Sequence, residues 1–390
     1  MDRFRSQAVG MDIDRNAVKA VQISRGGGDY TLRHVGYRRL PAGLIEAGEV
    51  ADYELLVREL KEFWETHSFK GKKVVLGVAN QRVVIRVLDL PRMEPADLKS
   101  AIGFEAQDHI PMPLEEAVLD YQVIGPREED QDMDRVMIVA AQRDMIGGFT
   151  AAIREAGLYP VGVDVKPLSL MRSALPESFF DEGAVLLMDV SSEITSLVVA
   201  QNGAPSLTRF VLGGSNEFVR AIAEVADIPE EDAEKHLMNP RIFIGETPDD
   251  TGQDPGESAE GEERSSLDET SNSLGDDSEE DQDELDPALM FDIRRGLEDA
   301  VQVLAEDAQR SIEYHYSQPG AREVSQVFVS GEGALVSGLD SYIGELLDIP
   351  TRRANPLQKL AANRSNVSDE QLRMMEPVLA VALGLAIEEA

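Results

Sequence analysis

The sequence predicts an α/β fold with two similar lobes and a cleft between them. Strand-like runs and a helix occur in one order near the N-terminus, and the same order begins again near residue 185. Each series opens with an apolar strand that ends in an aspartate and a tight turn, at Asp12 and Asp189. At 390 residues the chain is also longer than one compact hydrophobic core normally supports.

The composition fits a globular protein of the reducing cytoplasm and excludes several kinds of site. Hydrophobic residues make up 42% of the chain, and the absence of cysteine excludes disulfides, thiolate zinc sites and cysteine nucleophiles. No run approaches the roughly 18 apolar residues of a membrane helix, and the N-terminus lacks the apolar segment of a signal peptide. The net charge of −36 disfavours nucleic-acid binding and favours a basic partner.

The first series is predicted to form the first lobe from residues 1–80 and 158–184. AVGMDI, AVKAVQI and YTLRHVGYRRL have the pattern of three strands joined by tight turns. A helix follows, in which apolar residues from Leu56 to Phe63 share one face. The run KVVLGVAN then predicts a buried strand. Residues 81–157 are predicted to be an inserted αβ subdomain.

The second series is predicted to form the second lobe from residues 185–215 and 321–390. AVLLMDV, TSLVVAQ and PSLTRFVLGG are its three strands, and QVFVSGEG is a later buried strand that ends in a glycine-rich turn. Residues 216–320 are predicted to be a helical subdomain. Its last helix carries apolar residues from Leu289 to Ile312 at spacings of three and four.

An acidic segment interrupts this helical subdomain at residues 246–286. It contains 18 acidic residues, one arginine and three leucines as its only large apolar side chains. Such a segment buries too little apolar surface to offset the entropy lost on ordering, so it is predicted to be disordered. It is interpreted either as a solubilising spacer or as a docking site for a basic partner.

The two aspartate-headed turns, MDIDRNAVKAV and MDVSSEITSLV, are the motifs that carry chemistry. In such turns the backbone N–H groups point at an anion, while the strand carboxylate holds Mg²⁺ through water. Facing each other across a cleft, the turns would bracket the phosphates of a nucleotide. Asp12, Asp189 and Glu193 are the candidate catalytic residues, and the alternative for Glu193 is an ordinary exposed loop carboxylate.

Several segments resemble the PilM family, the actin-like relatives of FtsA in type IV pilus assembly. They are DIDRNAVKAVQIS, GFEAQDHIPMPLEEAVLDYQVIG, LLMDVSSEITSLVVA, SGEGALVSGLDSYIGELLDIP and VLAVALGLAI. The resemblance implies a two-lobed actin-like (ribonuclease H-like) ATPase fold, with an FtsA/PilM-type insert in the first lobe and a helical insert in the second. It also implies a cytoplasmic scaffold that reaches the inner membrane through protein partners, binds ATP or ADP with Mg²⁺, and has at most weak ATPase activity.

The resemblance also implies the residues of the nucleotide cleft. They lie in the two turns, on the return strand of the first turn, at the purine side and in the nucleoside turn: Asp12, Asp14, Arg15, Asn16, Ala17, Lys19, Asp189, Ser191, Ser192, Thr195, Gly213, Gly214, Glu234, Gly331, Glu332, Gly333 and Ala334. Asp12 and Asp189 are the implied Mg²⁺ residues, through water. Lys19 is interpreted either as neutralising phosphate or as a solvated strand residue.

The chain departs from the family at three of these positions, because Asp14, Ser191 and Glu332 stand where glycine is usual. A carboxylate about 4 Å from a phosphate oxygen costs about 1 kcal/mol in water and up to about 4 kcal/mol at an effective dielectric of 20. An extra Mg²⁺ or Arg15 would offset that repulsion. Nucleotide binding is therefore expected either to be retained through such compensation or to be weakened.

A partner site is also implied, because PilM-like proteins hold the cytoplasmic N-terminus of the membrane protein PilN between the first lobe and its insert. Phe104, Ile110 and Pro111 are the candidate partner-binding residues, and the alternative for Phe104 is packing against a neighbouring subdomain. Other pilus subunits, the motor and a second copy of the chain are further expected partners. An FtsA-like filament-forming ATPase and a sugar-kinase-type phosphotransferase are the alternative functions.

Overall fold

The computed structural model describes residues 8–127, 130–176, 183–239, 242–245 and 286–388. The acidic segment predicted at 246–286 lies outside the described residues except for Asp286, whose side chain caps the helix that follows it.

Within the described residues the strands are 2 to 11 residues long and form four sheets. In chain order they are β1 (Val9–Ile13), β2 (Ala17–Gly26), β3 (Asp29–Arg39), β4 (Ile45–Glu46), β5 (Glu49–Val50), β6 (Lys73–Val78), β7 (Val83–Pro91), β8 (Ala117–Pro126), β9 (Met133–Gln142), β10 (Tyr159–Val165), β11 (Ala184–Val190), β12 (Ile194–Gln201), β13 (Ala204–Leu212), β14 (Val324–Ser330), β15 (Thr351–Arg353) and β16 (Leu360–Asn363).

The helices alternate with these strands and cover the faces of the sheets. They are α1 (Tyr53–His67), α2 (Pro95–His109), α3 (Arg143–Glu155), α4 (Lys166–Ala174), α5 (Ser215–Ala226), α6 (Glu230–Leu237), α7 (Pro287–Tyr316), α8 (Leu339–Leu347), α9 (Asp369–Met375) and α10 (Ala380–Glu388).

The two large sheets repeat one topology, as the duplicated pattern predicts. The first has the order β10-β6-β1-β2-β3-β16, and the second has the order β13-β12-β11-β14-β15. In each sheet the first strand of an antiparallel hairpin, β1–β2 or β11–β12, also pairs in parallel with a later strand, β6 or β14. A further parallel strand, β10 or β15, extends the sheet from there. The first strands are buried along their whole length, as expected for apolar runs covered on both faces.

The helices begin where local capping and apolar spacing dictate. Asp52 accepts a hydrogen bond of 2.9 Å from the backbone N–H of Leu55 and so caps α1, whose buried side includes Leu56, Leu60 and Phe63. Helix α7 runs for 30 residues, and its apolar stripe is buried against the second sheet and α5.

The C-terminal segment differs from the predicted domain boundary. Strand β16 pairs in parallel with β3 of the first sheet, and α10 packs against β1, β2, β6 and α4. Residues 360–388 therefore lie with the first lobe, although the range 321–390 was predicted to belong to the second. Packing between distant parts of the chain decides this placement. Helix α10 is apolar on every side, so its own pattern does not show which lobe buries it. The remaining boundaries stay predictions.

The inserted segment forms a three-stranded antiparallel sheet of order β7-β9-β8 with α2 on one face. Its other face contributes Val83, Ile85 and Met137 to the core of the first lobe. The insertion is thus fixed to the lobe by apolar packing, and β8 is left as an edge strand.

Candidate functional site

The two aspartate-headed turns occupy equivalent positions in the two sheets. Asp12 lies near the carboxyl end of β1 and pairs with Lys19, while Asp189 lies near the carboxyl end of β11 and pairs with Ser196. Burial raises the pKa of Asp189, and the negative charge of Asp12 raises that pKa further. Ser192 of the second turn donates hydrogen bonds to Asp14 of the first, so the two turns meet across the gap between the lobes.

Two buried lysines lie beside the carboxylates of the first turn. Lys19 is only 1% exposed, and its Nζ is 3.3 Å from Asp12 Oδ2 and 3.5 Å from Asp14 Oδ2. The Nζ of Lys166 is 2.7 Å from Asp12 Oδ1 and 3.3 Å from the carbonyl oxygen of Ile13. Burial alone would lower the pKa of both lysines, but the carboxylates of Asp12 and Asp14 raise it. Both ammonium groups are charged. Of the two interpretations of Lys19, that of a solvated strand residue is wrong, because the side chain is buried.

Sequence reasoning missed Lys166. It is the first residue of α4, directly after β10, whose parallel pairing with β6 brings its carboxyl end beside that of β1. The signal in the sequence was a lysine directly before a proline at a strand-to-helix junction, VDVKP. Residues at the carboxyl ends of parallel strands converge on one edge, so this position was a candidate by topology.

Asp14 joins the first turn to the second. Its Oδ1 accepts hydrogen bonds from Ser192 Oγ at 2.5 Å and from the backbone N–H of Arg15 at 2.7 Å. Its Oδ2 accepts the backbone N–H of Ser192 at 3.3 Å. Burial would raise the pKa of Asp14, but the charges of Lys166 and Lys19 and these hydrogen bonds hold it well below its usual range. Asp14 is therefore an ionised carboxylate that links the two lobes.

Asp189 is held by hydroxyl groups of its own lobe. Ser191 Oγ donates to Asp189 Oδ2 at 3.0 Å, and Ser330 Oγ donates to Oδ1 at 2.8 Å. Neither oxygen is 4.0 Å or closer to a described lysine or arginine nitrogen, in contrast to Asp12.

Glu332 brings a further carboxylate into the same space. It is 5% exposed, and its Oε2 accepts from Asn16 Nδ2 at 3.3 Å and from Ser215 Oγ at 3.4 Å. Its Oε1 is buried with no hydrogen-bond donor among the described residues. Burial raises the pKa of Glu332, the charge of Asp14 adds to this, and Lys19 opposes it.

Side chains on the outer side of the turns pair across the lobes. The guanidinium of Arg15 lies 2.9 Å from Glu193 Oε1, and the other oxygen of Glu193 accepts the backbone N–H of Ala47 at 2.6 Å. Asn16 Nδ2 also donates to Asn216 Oδ1 at 2.9 Å. Arg15 and Glu193 therefore form an ion pair with each other. The sequence had suggested Arg15 as a residue that offsets repulsion of phosphate and Glu193 as a candidate catalytic residue.

The predicted purine side is built around the start of α5. Thr195 Oγ1 donates to the carbonyl of Gly213 at 2.7 Å, and a Cβ on Gly214 would lie 2.1 Å from the carbonyl oxygen of Ser191. The second turn therefore packs directly on the helix N-terminus. Glu234 of α6 is bonded to Arg39 of β3 at the surface, which adds a contact between the lobes.

The predicted nucleoside turn is packed onto the second sheet. Gly331 has φ +86°, and a Cβ there would lie 2.4 Å from the carbonyl oxygen of Val190. A Cβ on Gly333 would meet Val190 Cγ1 at 2.4 Å, and Ala334 is fully buried. Ala17, at the end of the first turn, accepts the backbone N–H of Asp14 at 2.9 Å and closes that turn.

The three predicted partner-binding residues are not brought together on one surface. Phe104 is 74% exposed on α2, but Ile110 is only 6% exposed because it packs between α2 and the inserted sheet. Ile110 is therefore not available to a partner. Pro111 is exposed just after the end of α2.

A separate groove lies between the insert and the first lobe, on the face of the inserted sheet opposite α2. Its volume is about 700 Å³, and it runs between the edge strands β8 and β10. Apolar Val163, at 37% exposure, lines it, together with Asp120 and with Asp164, whose carboxylate is paired with Arg172. The other charged lining residues are Arg172 and Glu388, which form an ion pair of 3.2 Å.

Comparison with known proteins identifies the family. Residues 10–242 and 293–390 match the model of the type IV pilus assembly protein PilM. The chain belongs to the PilM family. A solved structure of the PilM-PilN type IV pilus biogenesis complex is similar, with 27% identity, coverage of 99% of each chain and a TM-score of 0.75. The PilM family match does not favour a phosphotransferase or an FtsA-like filament former.

Two further structures show that the PilM-family fold is actin-like. MreB5 of Spiroplasma citri bound to ADP is 12% identical, with 99% of this chain and 96% of that chain covered and a TM-score of 0.54. The ethanolamine utilization protein EutJ from Carboxydothermus hydrogenoformans is 12% identical, with coverage of 97% and 89% and a TM-score of 0.52. No helix within the described part of the chain has the length and apolarity needed to span a membrane.

The residues of the cleft do not fit the nucleotide and Mg²⁺ that an actin-like PilM fold implies. A cavity of about 20 Å³ borders Asp14, Lys166 and Glu193, but neither Gly214 nor the nucleoside turn lines it. The misfit lies in the charges of the cleft. Its four buried acidic side chains are matched by two lysines, both already paired: Asp12, Asp14, Asp189 and Glu332 against Lys19 and Lys166. Within the described ranges, no group of three acidic or histidine side chains has the arrangement of a metal site.

Proposed function

We propose that the chain is a cytoplasmic scaffold of the type IV pilus assembly machine, held at the inner membrane by protein partners. In this role it binds the cytoplasmic N-terminal peptide of a PilN-like membrane protein. The proposal is supported by the PilM family match over most of the chain and by the likeness to a PilM-PilN complex.

The observation that carries the proposal is the groove between β8 and β10. Both are edge strands, so each presents backbone N–H and C=O groups that an extended peptide can pair with. The exposed side chain of Val163 would receive an apolar side chain of that peptide. Asp120 and the strongly negative net charge favour a peptide that also carries basic residues.

Nucleotide has no step in this proposal. The paired lysines and the hydrogen bonds from Ser192 to Asp14 support a cleft that serves as a rigid joint between the lobes. Affinity for the partner peptide is therefore expected to be independent of ATP and ADP. No hydrolysis step is derived, because Glu193 is engaged with Arg15.

The experiment is a fluorescence-polarisation titration of the full chain against the labelled N-terminal peptide of the PilN-like protein from the same organism. Val163→Asp places a carboxylate in the apolar part of the groove and is expected to weaken binding at least about tenfold, a loss of about 1.4 kcal/mol. Val303→Asp is the matched control, since Val303 is 59% exposed on α7, outside the groove.

Phe104→Ala tests whether the peptide binds instead at the surface of α2, where the sequence suggested a partner site. Unchanged affinity in Phe104→Ala and Val303→Asp together with a loss in Val163→Asp supports the groove. No binding of the peptide to the unaltered chain, or equal affinity in all three variants, contradicts the proposal.

A further inference from the structure

The environment of Asp14 is that of an anion held between two phosphate-binding turns. Its carboxylate accepts backbone N–H groups from both turns, at Arg15 and at Ser192, together with the hydroxyl of Ser192 at 2.5 Å. The Nζ of Lys19 lies 3.5 Å from it. Turn N–H groups, a hydroxyl and a lysine are the donors that surround a phosphate group in nucleotide-binding loops.

The chain also supplies the positive charge that a bound metal ion would bring to the cleft. Asp12, where a hydrated metal ion would be expected, lies 2.7 Å from the Nζ of Lys166 and 3.3 Å from that of Lys19. The positive charges of both lysines also lower the pKa of Asp14 and so keep its carboxylate ionised. The buried charges of the first lobe are thus balanced by one another.

From this geometry we propose that Asp14 is a built-in anion that occupies the phosphate position of the cleft and holds the lobes together without nucleotide. The second turn is linked to the first by the Asp14–Ser192 bonds, and Asn16 and Arg15 add bonds to Asn216 and Glu193. The inference goes beyond the scaffold proposal and does not depend on it, since it concerns only the cleft.

Glu332, in the nucleoside turn, is a second carboxylate that disfavours nucleotide in the cleft. Its buried carboxylate is bonded to Asn16 and Ser215, so it fills space between the first turn and the start of α5. With Asp12, Asp14 and Asp189 it makes four carboxyl groups against Lys19 and Lys166. A triphosphate would have to displace a carboxylate and also meet this acidic excess.

The test measures binding of a fluorescent ATP analogue with Mg²⁺ to the full chain and to two variants, Asp14→Gly and Asp14→Gly/Glu332→Gly. The unaltered chain is expected to show a Kd above millimolar, and the double variant is expected to bind at least about tenfold more tightly. Asp348→Gly is the matched control. It removes the same charge at an exposed left-handed position, φ 53°, where glycine fits without strain.

Circular dichroism and size exclusion establish that each variant is folded, and Asp14→Asn, which keeps the size of the side chain, replaces Asp14→Gly if that variant unfolds. Micromolar binding to the unaltered chain overturns the proposal. So does a folded double variant that binds no better than Asp348→Gly. Both outcomes leave peptide binding at the groove untouched, so failure here is distinguishable from failure of the scaffold role.

Discussion

Replacing Lys166 by methionine tests whether the buried charges of the cleft hold the lobes together. Methionine keeps the length of the side chain but removes the ammonium group, whose Nζ is 2.7 Å from Asp12 Oδ1. Asp12 would then keep only Lys19, at 3.3 Å, and Asp14 would lose the largest of the charges that hold its pKa down.

Removing one partner of a buried ion pair costs about 3–5 kcal/mol, because the remaining charge is left without compensation. An unfolding entropy of about 2.1 cal/mol/K per residue over roughly 330 described residues gives about 0.7 kcal/mol/K. Lys166→Met is therefore expected to lower Tm by about 4–7 °C in a differential scanning measurement.

The control is Lys99→Met, which removes an exposed lysine on α2 and is expected to change stability by about 0.5 kcal/mol or less. A second variant, Asp12→Asn/Lys166→Met, removes both members of the pair and is expected to cost less than the sum of the single changes. The reasoning is refuted if Lys166→Met shifts Tm no more than Lys99→Met, or if the double variant is strictly additive.

Three other predictions concern residues of the cleft. Gly214→Ala would place a Cβ 2.1 Å from a backbone carbonyl oxygen and is expected to destabilise the chain by about 2 kcal/mol or more. Its control is Gly103→Ala, which lies in open space on α2 and should stabilise the chain by about 0.5–1 kcal/mol. Thermal melts of the two variants measure the difference. Glu332 has a raised pKa, so stability contributed by its protonated form is lost as pH rises from about 4.5 through the raised value, and Glu332→Gln should gain stability relative to the unaltered chain across that window. The pKa of Asp14 is lowered, so its contribution is complete above its ordinary pKa of 3.8, and the destabilisation by Asp14→Asn should be constant between about pH 5 and pH 8; a marked pH dependence would contradict the assignment.

The duplicated topology was predictable because its signals are local. The apolar runs that become β1 and β11 are buried along their whole length, and the turns after them are encoded by Asp12 to Ala17 and by Asp189 to Thr195. These patterns fix the type of each element and the end at which its carboxylate lies.

The contents of the cleft were less accessible, because they depend on contacts between residues far apart in the chain. Asp14 and Ser192 are separated by 178 positions, and nothing local indicates that one carboxylate would accept two hydrogen bonds from the other turn. Lys166 is placed by the parallel pairing of β10, which no short pattern shows. Ile110 was misassigned for a simpler reason: it follows the apolar stripe of α2 and is covered by it.

The groove was predicted only in outline, as a site between the first lobe and its insert. Its position depends on which two strands remain at sheet edges, β8 and β10, and on how the inserted sheet is turned against the lobe. Phe104 is exposed on α2, the helix that covers the opposite face of that sheet. A sequence pattern identifies the strand and the helix but not the side on which the partner would lie.

The most direct measurement is the affinity of the full chain for the PilN-like N-terminal peptide, determined with and without millimolar MgATP. If the charges of the cleft are paired with each other, the Kd for the peptide is the same with and without MgATP. If the peptide binds the groove between β8 and β10, Val163→Asp loses at least about tenfold in affinity. A Kd that changes about tenfold on adding MgATP, or a Val163→Asp variant that binds like the unaltered chain, would contradict the account.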